Sequence, residues 1–399
     1  MLNSARTTSL ILVLACTSSR SSAQQSFPFD FEDNRLFVPV HLADTTTRWL
    51  ILDTGASAIV LDGNVASALR LTVTPAGSTT GAGTNSLRVG LARDVLLRVG
   101  GVALGPTEVR VSEIDSVLAP SQGRHAPGII GSRFFVEHVV EIDFAASVIH
   151  LHDPHSYRYV GSGVVLPLTF NDGVPLIEGR MTAPDGTVIP MRLVVDLGAK
   201  ATLLVSEHFI GEHELMARFP HAVTSPLGAG VGGPTRYAFS RLPRLALGAG
   251  GEALVADSLV AGLSVGGTLR SDWYDGLLGA EFLQRYRVTF DYTRKRVILE
   301  ERIPAVKPAE YDMSGMFLLA SGAELRTFVV SELVKGGPAE AAGIAAGDTI
   351  VSVDGQRATV LTLGRLRELL KSGDGKVVRV ELERAGTGRS VDIRLRRLL

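Results

Sequence analysis

The sequence predicts a mainly β chain: two β-barrel lobes related by an internal repeat, then a smaller C-terminal module with two helices. Three observations predict this. Short apolar runs such as "LFVPVHL", "VVEIDF", "VTFDY" and "RVILEE" are separated by Gly, Asn-Asp-Gly and Pro-Asp-Gly turns, which is the pattern of strands and hairpins. A long block of the chain occurs twice. Beyond Pro304 and Pro308 the composition changes. A length of 399 residues suits two or three domains.

The repeat is seen by pairing segments. "RWLILDTGASAIVL" (48–61) parallels "MRLVVDLGAKATLLV" (191–205). The Gly-rich "TTGAGTNS" (79–86) parallels "PLGAGVGG" (226–233). "RDVLLRVGGVAL" (93–104) parallels "RLPRLALGAGGEAL" (241–254), and "PGIIGSRFFVEHVVEIDFAASVIHL" (127–151) parallels "DGLLGAEFLQRYRVTFDYTRKRVIL" (275–299). The matched positions Asp53/Asp196, Gly81/Gly228 and Gly131/Gly279 are 143, 147 and 148 residues apart. Order and spacing are kept, which chance does not do. Within each unit "GNVASALRL" and "GAEFLQRY" read as short helices, and Asp185-Gly186 as a hairpin tip.

The N-terminus reads as an export signal. Arg6 precedes the apolar "LILVLA", and Ser21-Ser22-Ala23 precede Gln24. The chain is therefore expected to be exported, to the periplasm or beyond. Cys16 is the sole cysteine. It is either discarded with the signal or, if "VLAC" is a lipoprotein site, becomes a lipid anchor; Leu14 before the Ala-Cys pair favours the first reading. Neither route leaves two cysteines to bridge, so stability rests on the core. A net charge of −1 gives no pull toward nucleic acid. No apolar run reaches the ~18–20 residues of a membrane-spanning helix.

Asp53 ends an apolar strand, and Asp196 stands at the matching place in the second unit. A buried acid is costly unless it is paired or hydrogen-bonded. Two acids in one site cannot both ionise cheaply, so one pKa rises and the pair holds a single proton. Such a pair activates water with its ionised member and polarises a carbonyl with the other. Neither a metal nor a cofactor is called for. Gly55 and Gly198 let backbone N–H groups approach the acids. Thr54 is placed to donate across the lobe interface, and Ser57 to bond the outer oxygen of Asp53.

Asp-Thr-Gly-Ala-Ser after an apolar strand, a glycine-rich tip further on, and then Ile129-Ile130-Gly131 resemble the retropepsin-like and pepsin-like aspartic proteases. The resemblance covers roughly residues 30–300, as two lobes in one chain. It implies a catalytic dyad of Asp53 and Asp196, flaps carrying Gly81, Gly83, Gly228 and Gly230, and packing of Ile129–Gly131 and Leu277–Gly279 on the acid loops. It implies a peptide or protein substrate. The second lobe departs from the pattern. Leu197 stands where Thr or Ser is usual, which removes half of the interlobe hydroxyl network. Lys200 stands opposite Ser57 and is expected to bring a cation near Asp196, making Asp53 the proton holder.

Residues 312–399 resemble a bacterial PDZ domain, on the signature "PAEAAGIAAGDTIVSVDG". Pro338 starts a short helix and Gly343 ends it. "TLGRLRELLKSG" reads as an amphipathic helix, with Leu363, Leu366, Leu369 and Leu370 on one face and basic residues opposite. The resemblance implies that peptide C-termini bind at Gly315, Met316, Phe317 and Leu318. A module that packs on the lobes with its groove closed is the alternative.

Other signals are weaker. "GLSVG" (262–266) matches a nucleophile elbow, but no helix follows Ser264. His150, His152 and His155 suit a solvated strand end better than a metal site. The chain is thus divided into a signal (1–23), lobe 1 (24–160), lobe 2 (161–303), a linker (304–311) and the PDZ module (312–399). The reading is an exported aspartic endopeptidase. Its rivals are a degenerate peptide-binding scaffold and a carboxyl-dyad enzyme acting on another amide.

Overall fold

The computed structural model describes residues 25–42, 46–248, 253–267 and 269–399. The expected export signal and Cys16 lie outside the described residues.

Each half of the first three hundred residues is built on an eight-stranded sheet, and the strand order is the same along both. In the first, Arg35–Leu42 pairs antiparallel with Thr47–Leu52. The latter runs parallel to Gly128–Ile130, which sets Ile51 beside Ile129 and Leu52 beside Ile130. In the second, Val174–Thr182 pairs antiparallel with Val188–Asp196. That strand runs parallel to Gly276–Gly279, which sets Val195 beside Leu278 and Asp196 beside Gly279. The short central strands are wholly apolar because both faces are covered; Gly128–Ile130 and Leu203–Val205 are buried at every residue.

A third sheet of six strands joins the halves. Val139–Asp143 pairs antiparallel with Tyr286–Asp291, placing Val140 opposite Phe290 and Ile142 opposite Val288. Phe135 stacks on Tyr292 at 5.6 Å and meets Phe290 edge-on at 5.2 Å. One apolar core runs through both halves. Each large apolar side chain buried there contributes about 1.5–3 kcal/mol, so the halves form one folding unit. The helices are short, as expected: Gly63–Ala68, capped by Asp62, and Ala280–Leu283.

The C-terminal module is a sheet with Met316–Ser321 at one edge, paired among the described residues to Thr327–Leu333 alone. Two helices, Pro338–Ala341 and Leu363–Leu370, complete it. Leu363, Leu366, Leu369 and Leu370 are buried as the pattern predicts, and Thr362 caps the helix by accepting from Arg365 N at 3.1 Å. Arg367, expected on the solvent face, instead points into the protein.

Several short helices are not among those read from the sequence, and one of them bears on the site. Asp115–Gln122 contains Pro120, has no side-chain cap, and ends at Gly123 in a left-handed conformation with φ 68°. It packs against the C-terminal module, where Ala119 joins the apolar core. No helix among the described residues is long and apolar enough to cross a membrane.

Candidate active site

The two parallel strand pairs end in two acid loops that face each other. Asp53 follows Thr47–Leu52, and its N–H donates to Ile130 O at 2.9 Å. Its Oδ1 accepts from Gly55 N at 2.8 Å and Ala56 N at 3.1 Å. Asp196 Oδ1 accepts from Gly198 N at 2.8 Å and Ala199 N at 3.1 Å. Each acid is thus held by the two amides that follow it, and each carboxyl group lies against the glycine of the opposite loop, close enough for the two acids to act on each other. A methyl group at Gly55 would lie 2.7 Å from Asp196 Cγ, and one at Gly198 would collide with Asp53. Only glycine permits this approach.

Thr54 braces the pair from behind. Its hydroxyl donates to Val195 O at 2.6 Å and accepts from Leu197 N at 2.9 Å. Leu197 offers no reciprocal hydroxyl and is fully buried. The strands Gly128–Ile130 and Gly276–Gly279 back the loops as expected.

Burial raises the Asp53 carboxyl well above the ordinary aspartate range, and the neighbouring Asp196 charge pushes it further. Asp196 is also raised by burial, but its hydrogen bond from Asp53, its two amides and the Arg35 charge oppose that. Both carboxyl groups are therefore held above the ordinary range, Asp53 the more strongly, so the proton that the pair shares is favoured on Asp53.

Three expectations change in detail. Ser57 lines the cleft, but its carbonyl accepts from Ser132 Oγ at 3.2 Å, and among the described residues its hydroxyl makes no bond to Asp53. Lys200 turns from Asp196 to Asp33, at 3.1 Å. The cation acting on Asp196 is Arg35, whose Nε approaches Gly198 O at 3.4 Å. Arg367 of the C-terminal module also reaches Asp33, at 2.5 Å. Burial drives Lys200 down to about 7, the nearby Arg367 charge acting in the same direction. Asp33 and Arg35 drew no attention in the sequence; "EDNRLF" reads as a plain turn into a strand.

The Gly-rich tips are hairpin ends. Thr74–Thr80 pairs with Ser86–Val99, and Val223–Gly230 with Gly233–Leu247. They meet over the acids: Gly83 N donates to Val231 O at 2.9 Å and Asn85 N to Gly232 O at 2.8 Å. Gly81, Gly228 and Gly230 line the cleft below, with Tyr237, Trp273 and Tyr274. Its volume is about 480 Å³. It is an apolar trough with two acids at its centre, the setting expected for a bound chain.

Gly315, Met316, Phe317 and Leu318 lie away from this cleft. The loop N–H groups are already used: Asp312 Oδ1 accepts from Ser314 N at 2.9 Å and Gly315 N at 2.5 Å, and Ser314 Oγ accepts from Met316 N at 3.1 Å. Of the loop expected to hold a terminal carboxylate, the N–H groups of Gly315 and Met316 are thus engaged from within. Of the weaker signals, Ser264 lies buried in the strand Leu254–Val265. His150 meets Ser26 at 2.7 Å, and His152 meets Glu141 at 3.0 Å.

Comparison with known proteins bears on both parts. A search of curated proteins finds no match to the chain. A solved structure, the photosystem II D1 C-terminal processing protease, is 31% identical over 22% of this chain and 23% of that one, with a TM-score of 0.21. The chain spans under a quarter of that protein's length, and the likeness carries no argument. Residues 38–134 match the family described as aspartyl protease, and residues 329–384 the family described as PDZ domain. The first match contains the Asp53 loop and one tip; the second contains both helices of the C-terminal module and the central strands of its sheet, and stops short of the edge strand Met316–Ser321. The chain therefore joins an aspartyl protease domain to a C-terminal PDZ domain.

Proposed function

We propose that the protein is an exported aspartic endopeptidase whose lobes, residues 24–160 and 161–303, each supply one acid, with residues 304–311 linking them to the PDZ module at 312–399. The observation that supports this best is the mirrored acid pair, each carboxyl group against the opposite loop's glycine, beneath two closed tips. Asp196, ionised, takes a proton from a water molecule, whose oxygen attacks the scissile carbonyl carbon. Asp53 gives its proton to the carbonyl oxygen. The tetrahedral intermediate then breaks its C–N bond, and the departing nitrogen is protonated from the pair. Gly55, Ala56, Gly198 and Ala199 keep both acids oriented throughout. The tips part to admit an extended chain and close to exclude water.

The test is cleavage of a mixed peptide library by the wild type and by Asp53→Asn and Asp196→Asn. Wild-type cutting that both substitutions abolish supports the proposal. A wild type that cuts no peptide from acidic to neutral pH leaves a peptide-holding clamp instead.

A further inference from the structure

The PDZ groove lies between the edge strand Met316–Ser321 and the helix Leu363–Leu370, and part of the protease fills it. Ala119 of the helix Asp115–Gln122 is only 3% exposed and packs in one cluster with Met316, Leu318, Leu363 and Leu366. A methyl group at Gly123 would lie 2.5 Å from Leu363 Cβ. Arg367 Nη2 donates to Leu318 O at 3.1 Å and to Ser121 O at 3.0 Å. The first of these is a carbonyl of the edge strand, which has no second strand neighbour among the described residues. An added strand needs such groups free. The N–H groups of Gly315 and Met316 are held by Asp312 and Ser314, which takes two donors from any carboxylate seat there.

The same helix touches the active-site cover. Ser121 Oγ accepts from Ala229 N at 3.1 Å, and a methyl group at Gly228 would lie 3.2 Å from Ser121 Cβ. Gly228 and Ala229 belong to the second tip, which is locked to the first through Val231 and Gly232. One short helix thus contacts both the groove and the lid.

We propose that the helix Asp115–Gln122 is the resident occupant of the PDZ groove, and that an extended apolar segment of an unfolded polypeptide displaces it and so releases the second tip. The displacing segment is read along the edge strand rather than by its terminus. Its effect on cleavage rests on the protease reading; its binding does not.

The test therefore starts in the Asp53→Asn background, where binding is read without cleavage. The probe is carboxymethylated α-lactalbumin, a permanently unfolded chain, and the second readout is hydrogen exchange. Ala119→Arg forces the helix out of the groove. It is expected to speed exchange at 316–321 and 226–231 and to bind the probe roughly tenfold tighter, because the competing occupant is gone. Ser121→Ala, the milder change, is expected to speed exchange at 226–231 alone. With Asp53 restored, Ser121→Ala raises kcat/KM several-fold. Unchanged exchange at 226–231 in both variants, or equal probe affinity in wild type and Ala119→Arg, overturns the proposal. Absence of cleavage with the binding and exchange changes intact counts only against the protease reading.

Discussion

The two acid loops have the same backbone and different side chains. Asp53 and Asp196 each accept two amides, at the same 2.8 and 3.1 Å. The next residue is Thr54 in one and Leu197 in the other; the fourth is Ser57 in one and Lys200 in the other. The cradle for an acid therefore depends on the backbone turn and its glycine, which both loops keep. The brace between loops needs one hydroxyl, since Thr54 alone both donates to Val195 and accepts from Leu197. The asymmetry appears in charge: Arg35 lowers Asp196, whereas the Asp196 charge raises Asp53.

The comparison is broken most directly at the acids. Asp53→Asn and Asp196→Asn should each lower kcat/KM by roughly 10³-fold or more, since base and acid each contribute about 10²–10⁴. Stability carries a second signature. With folded-state pKa values raised, the folded chain holds more protons than the unfolded one above the ordinary aspartate range, so stability falls as pH rises through that window. Asp53→Asn should flatten that slope in urea titrations run at several pH values; an unaltered slope would mean that Asp53 does not hold the proton.

Asp33 comes next. It serves Lys200 and Arg367 together, from opposite sides of the junction between lobe and PDZ module. Asp33→Asn leaves buried cations without a counter-charge and should cost about 3–5 kcal/mol, measured by urea unfolding. A loss under about 1 kcal/mol, the range of an exposed pair, would show the network to be solvated.

Thr54→Val sharpens the comparison at its bridging hydroxyl. It leaves Leu197 N without its acceptor and should cost about 1–3 kcal/mol. A loss under about 0.5 kcal/mol, below the cost of an orphaned buried donor, would show that the Leu197 amide finds another acceptor.

The smallest effect is on pH dependence. In the proposed mechanism Asp196 acts ionised, so the acidic limb of the kcat/KM profile should follow the Asp196 pKa. Arg35 lowers that pKa, and Arg35→Gln should shift the acidic limb to higher pH. A limb that stays in place would assign the asymmetry to the amides alone.

Much of this was readable before any coordinates. The Asp-Thr-Gly and Asp-Leu-Gly loops, the glycine tips and the PDZ signature are local: each is a turn or strand whose chemistry is written in adjacent residues. The role of Thr54 was also readable, because a hydroxyl beside a paired acid has few other partners. What stayed hidden depends on distant neighbours. "EDNRLF" gives no sign that Asp33 gathers Lys200 from one lobe and Arg367 from the PDZ module. "DSVLAPSQG" carries a proline and no cap, so it does not announce a helix, still less one seated in the PDZ groove.

By itself the sequence determined the mainly β class, the paired acids and the family of each part, because strand period, turn glycines and buried carboxylates are constraints set within a few residues. Only the tertiary structure decided which cation acts on Asp196, that the tips lock together, and that one helix spans groove and lid. Those facts come from desolvation and from contacts between segments hundreds of residues apart, such as Arg367 with Ser121 and Asp33, and no local pattern encodes such a meeting.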